Sequence, residues 1–308
     1  MIYTLTANPA IDYHMDLSTG GFIPGQINRS AKEEMFPGGK GLNVSVVLAE
    51  LGIKSIAWGF IAGKTGALLE TLAKEYGCSC DFIPLPEGET RINVKIDCEM
   101  ETAFNGNGPK IGETQIAQLM EKVRNLSSED ELILSGNLRA GSINLYEEIS
   151  RICHENGVRF VVDTEAENLK ATLPYHPFLI KPNEEELLSL YGSTDRSTAS
   201  VVSLMMKCQA DGAENVLVTL GGEGAFFLSG NGDLLHATVI EKQKVVSTVG
   251  AGDSTVAGFL AGMTRFGGRY EETLQLACAA GSATACRKWL CEEKDILSML
   301  KEIEVSKL

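Results

Sequence analysis

Several stretches of the chain are apolar almost from end to end and bounded by turn residues: Glu131-Leu132-Ile133-Leu134-Ser135-Gly136, Arg159-Phe160-Val161-Val162-Asp163, Phe178-Leu179-Ile180-Lys181-Pro182 and Val216-Leu217-Val218-Thr219-Leu220-Gly221. Such uniformity predicts strands covered on both faces. Between them Ile143, Leu145, Tyr146, Ile149 and Ile152 recur at threes and fours and close at Asn156-Gly157, and Leu187, Leu188 and Leu190 repeat the pattern more briefly. Strand alternating with helix predicts an α/β fold, a mainly parallel sheet with helices on both faces. Two stretches behave differently. Ile11, Tyr13, Met15 and Leu17 alternate with Asp12, His14, Asp16 and Ser18, and Ile92, Val94, Ile96, Cys98 and Met100 alternate with Arg91, Asn93, Lys95, Asp97 and Glu99. Period-two alternation predicts strands with one wet face, hence a smaller antiparallel sheet inserted twice into the main body. Its polar face, with Asp12, Arg91, Asn93 and Lys95, either decorates the surface or closes over a ligand. After Glu292, the spacing of Ile296, Leu297, Leu300 and Ile303 predicts one amphipathic helix.

Three glycine-rich turns carry the candidate chemistry. Gly59-Phe60-Ile61-Ala62-Gly63-Lys64-Thr65 has three residues between its glycines where a phosphate-binding P-loop needs four, so it reads as a turn before a helix around Leu68, Leu69 and Leu72. Gly-x-Gly-x-x-Gly is missing after the first strand, which argues against a dinucleotide cofactor. Val249-Gly250-Ala251-Gly252-Asp253-Ser254 lies between a β-like segment, Lys244–Ser247, and a helical one with Val256, Phe259, Leu260 and Met263. Small residues there let backbone N–H groups point at an anion, and the helix N-terminus adds partial positive charge. An aspartate would repel a phosphate in a plain anion site. It fits if Asp253 takes a proton from an attacking hydroxyl while the amides hold the charge on a phosphoryl group in transfer. On spacing alone it fits equally as a helix N-cap after a glycine turn. The third turn, Pro37-Gly38-Gly39-Lys40-Gly41-Leu42-Asn43-Val44-Ser45, precedes a helix with Val44, Val47, Leu48 and Leu51 on its apolar face. It suits a phosphate or a polyhydroxy compound, or equally a glycine turn with a solvated lysine.

The 308 residues allow one large or two modest domains. With 41 acidic and 27 basic residues the net charge is −14. That argues against non-specific binding of nucleic acid or anionic membranes, though a local basic pocket can still hold one small anion. No apolar run approaches the roughly 18 residues of a membrane span, and Met1–Pro9 lacks the features of a signal peptide, so a cytoplasmic protein is expected. Eight cysteines without Cys-x-x-Cys, and four histidines never at i, i+4, are expected to be reduced thiols and ordinary side chains rather than metal ligands.

Taken together, the two glycine loops resemble the signatures of the ribokinase-like (PfkB) carbohydrate kinases. Gly38-Gly39-Lys40-Gly41-x-Asn43-x-Ser45, followed by Gly52, is similar to the family's N-terminal motif. Thr248-Val249-Gly250-Ala251-Gly252-Asp253-Ser254, followed by Ala257-Gly258, is similar to its C-terminal one. Between them Lys181-Pro182-Asn183-x-x-Glu186 resembles the family's Asn-x-x-Glu motif, and Leu220-Gly221-Gly222-Glu223-Gly224-Ala225 its nucleotide-side glycine turn. The likeness spans nearly the whole chain. Within the family, Thr6-x-Asn8-Pro9-Ala10-Ile11-Asp12 and Thr90-Arg91-Ile92-Asn93-Val94-Lys95 are most similar to members that act on fructose 1-phosphate, with members acting on tagatose 6-phosphate as near relatives.

The resemblance implies a single ribokinase-like domain over 1–308, its small sheet formed by insertions at about 9–36 and 88–106 and serving as a lid over a sugar. It implies transfer of a phosphoryl group from ATP to O6 of fructose 1-phosphate, giving fructose 1,6-bisphosphate, with tagatose 6-phosphate or another ketohexose phosphate as the alternative. Asp253 is then the base, and Gly250, Ala251 and Gly252 form the anion hole. Asp12, Gly38, Gly39, Asn43, Asn93 and Asn137 are expected at the sugar, and Lys40, Arg91 and Arg29 at its phosphate. Lys181, Asn183, Thr219, Gly221, Gly224 and Gly252 are expected at the nucleotide, with Glu186 acting through water on Mg²⁺. A one-sided lid also implies a homodimer through that sheet. The chain departs from the family pattern at Asn137-Leu138-Arg139-Ala140, at Glu165-Ala166, at Ala103–Asn107 and at Cys286-Arg287-Lys288-Trp289 near the expected adenine pocket. Those departures leave a second class open, a catalytically silent sugar-phosphate-binding protein on the same fold.

Overall fold

The all-apolar runs become the middle of one large sheet in the computed structural model, which describes residues 1–17, 21–98, 102–136, 139–140, 143–239 and 244–308. In chain order the elements are β1 (Ile2–Thr6), β2 (Ala10–Asp16), β3 (Lys32–Gly38), α1 (Lys40–Glu50), β4 (Ser55–Ala62), α2 (Gly63–Glu75), β5 (Ser79–Cys80), β6 (Ile83–Leu85), β7 (Arg91–Asp97), β8 (Thr102–Asn105), α3 (Glu113–Arg124), β9 (Glu131–Ser135), β10 (Arg139–Ala140), β11 (Ile143–Asn144), α4 (Leu145–Asn156), β12 (Arg159–Asp163), α5 (Ala166–Thr172), β13 (Leu179–Ile180), α6 (Glu184–Tyr191), α7 (Thr198–Ala210), β14 (Asn215–Thr219), β15 (Ala225–Leu228), β16 (Leu234–Val239), α8 (Ala251–Phe266), α9 (Tyr270–Ala285), α10 (Glu293–Met299) and β17 (Ile303–Lys307). The large sheet runs β17-β16-β15-β14-β13-β12-β9-β1-β4-β5, with β6 also on β4. From β14 to β5 its neighbours are parallel, and the β14–β17 edge is antiparallel.

Side chains of the central strands alternate between two cores. Ile133, Val161, Leu179 and Leu217 pack with α1, α8 and α9 residues such as Val47, Phe259 and Leu274. Leu132, Leu134, Phe160, Val162 and Val218 pack on the other face with Leu119, Tyr146, Leu187 and Met205 from α3, α4, α6 and α7. Both faces are covered, which is why these strands read as unbroken apolar runs. Cys153 and Cys278 sit in the cores as small apolar side chains, and burial pushes both thiols up to about 12. Among the described residues no helix is long and apolar enough to cross a membrane.

The small sheet is ordered β3-β2-β7-β8. It consists of two antiparallel hairpins whose inner strands, β2 and β7, pair in parallel because both leave the main body in the same direction. Its two faces are as the alternation predicts, but the wet side is reversed. Asp12 and Asn93 are only 7% and 8% exposed, whereas Met35, Ile92 and Phe104 on the other face are 44%, 42% and 54% exposed. The polar face looks inward over a cavity; on the apolar face Ile11 and Ile96 are buried, while Met35, Ile92 and Phe104 look out.

Four local expectations are corrected. The tail is not one helix: α10 ends at Met299, and Ile303–Lys307 pairs antiparallel with β16, whose open edge offers the hydrogen bonds a longer helix would forgo. Residues 244–247 form no strand: their backbone turns to the end of α9, where Val246 N–H bonds to Ala285 O (2.8 Å). Ile143 lies on β11 and not in α4, which starts after Asn144, whose side chain accepts from Tyr146 N–H (3.1 Å). Gly59–Ala62 is the end of β4 and not a turn, and where a P-loop would hold phosphate the Glu89 carboxylate accepts from Thr65 N–H (2.9 Å).

Candidate active site

The C-terminal ends of the parallel strands open onto a cavity of about 860 Å³, a size suited to small ligands. Asp163 ends β12, Lys181 follows β13 and Thr219 ends β14, and all three line it. In open α/β sheets this is the end where ligands bind. The small sheet closes one side through Asp12, Arg91, Asn93, Lys95 and Asn105.

At the centre lies the N-terminus of α8. Gly250 is its N-cap at φ 79°, a backbone conformation that favours glycine, and a Cβ there would lie 2.6 Å from Leu290 Cδ2. Ser254 N–H is the first to bond back along the helix, to Gly250 O (2.8 Å). Ahead of it Ala251 N–H bonds to Thr248 O (3.3 Å), while the Gly252 and Asp253 N–H groups have no backbone acceptor outside the helix and are free to meet an anion. Asp253 sits in this first turn, 5% exposed, and its side chain does not cap the helix, so the N-cap reading does not hold. Its Oδ2 accepts instead from Asn43 Nδ2 (2.8 Å). Burial first, and the neighbouring Asp163 charge second, push the Asp253 carboxyl up to about 6, against the pull of Lys40, Asn43 and Lys181.

Asp163 is 1% exposed and its Oδ1 faces two ammonium groups, Lys40 Nζ at 3.4 Å and Lys181 Nζ at 3.3 Å. Burial alone would raise its pKa; Lys181 and Lys40 outweigh that and hold it below the usual carboxylate range. Burial lowers the Lys40 pKa, but Asp163, Asp253 and Glu186 together raise it, so this amine stays protonated. Two cations are thus fixed beside the amide concavity, and one neighbouring carboxyl titrates near 6.

Toward the small sheet the cavity is polar. Asn93 Nδ2 donates to Asp12 Oδ1 (2.8 Å), while the buried Oδ1 atoms of both Asn43 and Asn93 have no partner in the protein. Buried acceptors left open in this way call for donors from a ligand. The Arg91 guanidinium donates to two carbonyls, Asn8 O (3.1 Å) and Gly106 O (3.5 Å), and burial lowers its pKa.

The opposite arm is apolar, with Val239, Val245, Ala285, Cys286 and Met299 beyond Thr219, Gly221 and Gly224. Asn183 and Glu186 also line the cavity, as a reciprocal capping box on α6: Glu186 Oε2 accepts from Asn183 N–H and Asn183 Oδ1 from Glu186 N–H, both at 2.8 Å. Glu186 Oε1 is left over. Among the described residues no group of three or more His, Cys, Asp or Glu is placed to hold a metal. One spare carboxylate oxygen fits a Mg²⁺ carried mainly by ligand phosphates and water.

Of the residues expected from sequence, Asp12, Gly39, Lys40, Asn43, Arg91, Asn93, Lys181, Asn183, Glu186, Thr219, Gly221, Gly224 and the 250–253 turn all line this one cavity. Gly38 lies just behind Asp12, where a Cβ would be 2.5 Å from Asp12 Oδ2, so it makes room for that carboxylate and is not itself on the wall. Arg29 is exposed on the irregular segment between β2 and β3 and does not line the cavity. Asn137 lies outside the described residues. Sequence reasoning missed Asp163 and left Lys95 without a role at the site. An acid closing an otherwise apolar strand was the available signal for the first, and its place between Asn93 and Asp97 on the polar face for the second.

The model of the pfkB family carbohydrate kinases matches residues 6–294. The chain belongs to that family. This carbohydrate kinase is 36% identical over 309 residues to 1-phosphofructokinase of Bacillus subtilis, with 100% of both chains covered. It is 34% identical to D-tagatose-1-phosphate kinase of Bacillus licheniformis, again with 100% of both covered. The tetrameric inhibited form of phosphofructokinase-2 from Escherichia coli superposes with a TM-score of 0.87 at 28% identity, covering 97% of this kinase and 98% of that chain. In this kinase the two glycine signatures open α1 and α8, and the Asn43–Asp253 hydrogen bond joins them across 210 residues of sequence.

Proposed function

We propose that the protein transfers the terminal phosphoryl group of ATP to O6 of fructose 1-phosphate. The observation that carries this reading is Asp253, a buried carboxyl held by Asn43 in the first turn of α8, at the meeting point of a polar and an apolar arm, with its pKa raised by burial. The apolar arm suits a purine, and the Gly221–Gly224 turn its phosphates. The polar arm suits a phosphorylated polyol: Asp12 and the open Asn43 and Asn93 oxygens accept from hydroxyls, and Arg91 takes the C1 phosphate. As O6 attacks phosphorus in line, its proton passes to Asp253 and the bond to the ADP oxygen breaks. The amides of Gly250, Ala251 and Gly252, with Lys181 and with Lys40, which we read here beside Asp163 and not at the sugar's own phosphate as the resemblance implied, hold the charge that spreads over the phosphoryl oxygens. Mg²⁺, met through water by Glu186 with Asn183 orienting it, would neutralise the donor phosphates. ATP is a cytoplasmic metabolite, and we place the reaction there.

A panel of sugar phosphates, read by ADP release, tests the assignment. Fructose 1-phosphate is expected to give the highest kcat/KM. D-tagatose 1-phosphate is the second reading, supported by the B. licheniformis relative and differing only at C4. Tagatose 6-phosphate and fructose 6-phosphate carry phosphate where the new bond must form and are expected to be poor. Preference for a 6-phosphate would contradict the reading, and binding without ADP release would favour the silent binding protein. Arg91→Ala is expected to raise the sugar-phosphate KM tenfold or more, roughly the loss of one charge-assisted hydrogen-bonding group, with kcat changed little. An unchanged KM with lost kcat would rule out the anchoring role.

The outward apolar face of the lid, with Met35, Ile92 and Phe104, supports a homodimer in which two lids pack face to face. Sedimentation is expected to show a dimer that Ile92→Asp with Phe104→Asp converts to monomer; a monomeric parent protein would contradict this.

A further inference from the structure

The run Cys286-Arg287-Lys288-Trp289 departs from the family pattern, and the reaction above gives it no task. It lies where three parts of the site meet. Trp289 stacks on Phe36 with ring centroids 4.6 Å apart and planes 13° apart, and Tyr76 at the end of α2 abuts the same indole at 4.5 Å. Phe36 is the residue of β3 directly paired with Asp12 on β2, so the stack bears on the strand pair that carries a sugar-binding carboxylate. Lys288 Nζ stands 3.5 Å from Asp16 Oδ2 and 3.5 Å from Asp97 Oδ2, paired positions at the ends of the two central lid strands. Next to Trp289, Leu290 packs against Gly250, the N-cap of the amide turn. At the other end Cys286 lines the apolar arm. The base of the segment is fixed: Arg287 pairs with Glu292 and Asp295, and Cys291 N–H donates to Thr284 Oγ1 (3.1 Å).

We propose that residues 286–291 are a clamp that sets the distance between the lid and the phosphoryl-transfer centre, with Trp289 and Lys288 as its positioning residues. The inference rests on the transfer reading above. Asp12 rides on the lid and Asp253 on α8; the clamp touches the strand pair of the first and the N-cap of the second. It therefore fixes how closely an acceptor hydroxyl held by the lid approaches the amide turn, and small misplacements of reacting groups are costly to rate. Because the segment also borders the apolar arm, a nucleotide there and a sugar phosphate under the lid bias the same element, so each tightens the other's binding by the same factor.

The protein has two tryptophans, which makes the clamp observable. Trp58 is 4% exposed in the core and its Nε1 has no partner, so Trp58→Phe loses no hydrogen bond and leaves Trp289 as the single reporter. In this variant, fructose 1-phosphate and ADP, added singly and together, are expected to change Trp289 emission and acrylamide quenching, each lowering the other's apparent Kd about threefold. In the parent protein, Trp289→Ala is expected to lower kcat about tenfold with little change in the ATP KM, and Trp289→Phe, which keeps the stack, to restore most of it. Lys288→Met, at an exposed site, is expected to raise the sugar-phosphate KM about threefold with an unchanged melting temperature, and it carries the test if the alanine variant fails to fold. Emission that answers to neither ligand, unchanged kinetics in the variants, or a Phe variant as impaired as the Ala variant overturns the clamp. Emission that answers to ADP in a protein that phosphorylates no sugar phosphate keeps the clamp and overturns the transfer reading instead.

Discussion

Asp253→Asn is expected to lower kcat by about 10³-fold while nucleotide and sugar phosphate still bind, and at the same time to stabilise the fold. The rate loss follows from removing the carboxyl that stands in the first turn of α8. The gain in stability follows from the cost of keeping that carboxyl ionised. Its pKa is raised from 3.8 to about 6 by burial first and by Asp163 second, so the fold disfavours the charged form. The penalty is absent below pH 3.8, grows between 3.8 and about 6, and is complete above that. A shift of that size corresponds to about 3 kcal/mol, or a rise of several degrees in Tm at pH 8 for the Asn variant. The difference should vanish near pH 3.5. Melting curves at the two pH values and initial rates check both halves. An Asn variant that turns over normally, or one no more stable at pH 8 than at pH 3.5, would argue against the assignment.

Asp163→Asn is expected to damage stability and rate together. The Asp163 carboxylate is the shared counter-ion of Lys40 and Lys181, and the Lys181 side chain is only 5% exposed. An amide there leaves the buried Lys181 ammonium without its counter-ion and facing the half-exposed Lys40. Breaking a buried pair in this way costs about 3–5 kcal/mol. The sign with pH is opposite to that of Asp253. The Asp163 pKa is depressed, so its stabilisation is present above 3.8 and fades as pH falls through its lower folded value. The destabilisation of the variant should therefore be full at neutral pH and shrink in strong acid. The two lysines, proposed above to support the phosphoryl group, lose their fixed positions, and kcat is expected to fall about 10–100-fold. Removing the Asp163 charge also removes one of the causes that raise the Asp253 pKa, so the acid limb of the rate profile should move below 6. Thermal melts and a pH–rate series on the variant read all three effects; a limb that moves upward would contradict the charge arrangement.

Much of this site was legible because its parts are local. A glycine turn before a helix announces an anion concavity, and both such turns that carried family signatures open helices onto the cavity. What escaped was what depends on neighbours. Alternation along Ala10–Asp16 and Arg91–Asp97 defined two faces of a sheet, but which face meets water is decided by what covers it, and here the polar face is covered. Ile296 to Ile303 keeps helical spacing, yet the free edge of β16 captures the last part as a strand. Residues 244–247 have strand-forming side chains, yet their backbone bonds to the end of α9. Asp163 looked like the end of a core strand, and its role emerges only when β12 brings it between two lysines distant in sequence. Arg29 was expected at the substrate from the motif likeness, and the irregular segment that bears it lies outside the cavity wall.

The most direct test of the central claim is the pH dependence of kcat/KM for fructose 1-phosphate at saturating ATP and Mg²⁺. A single base at Asp253 predicts a limb of unit slope that bends near pH 6 and a plateau above it. A profile that is flat from pH 5 to 8, roughly two units beyond that bend, would mean that no carboxyl of this kind takes the proton.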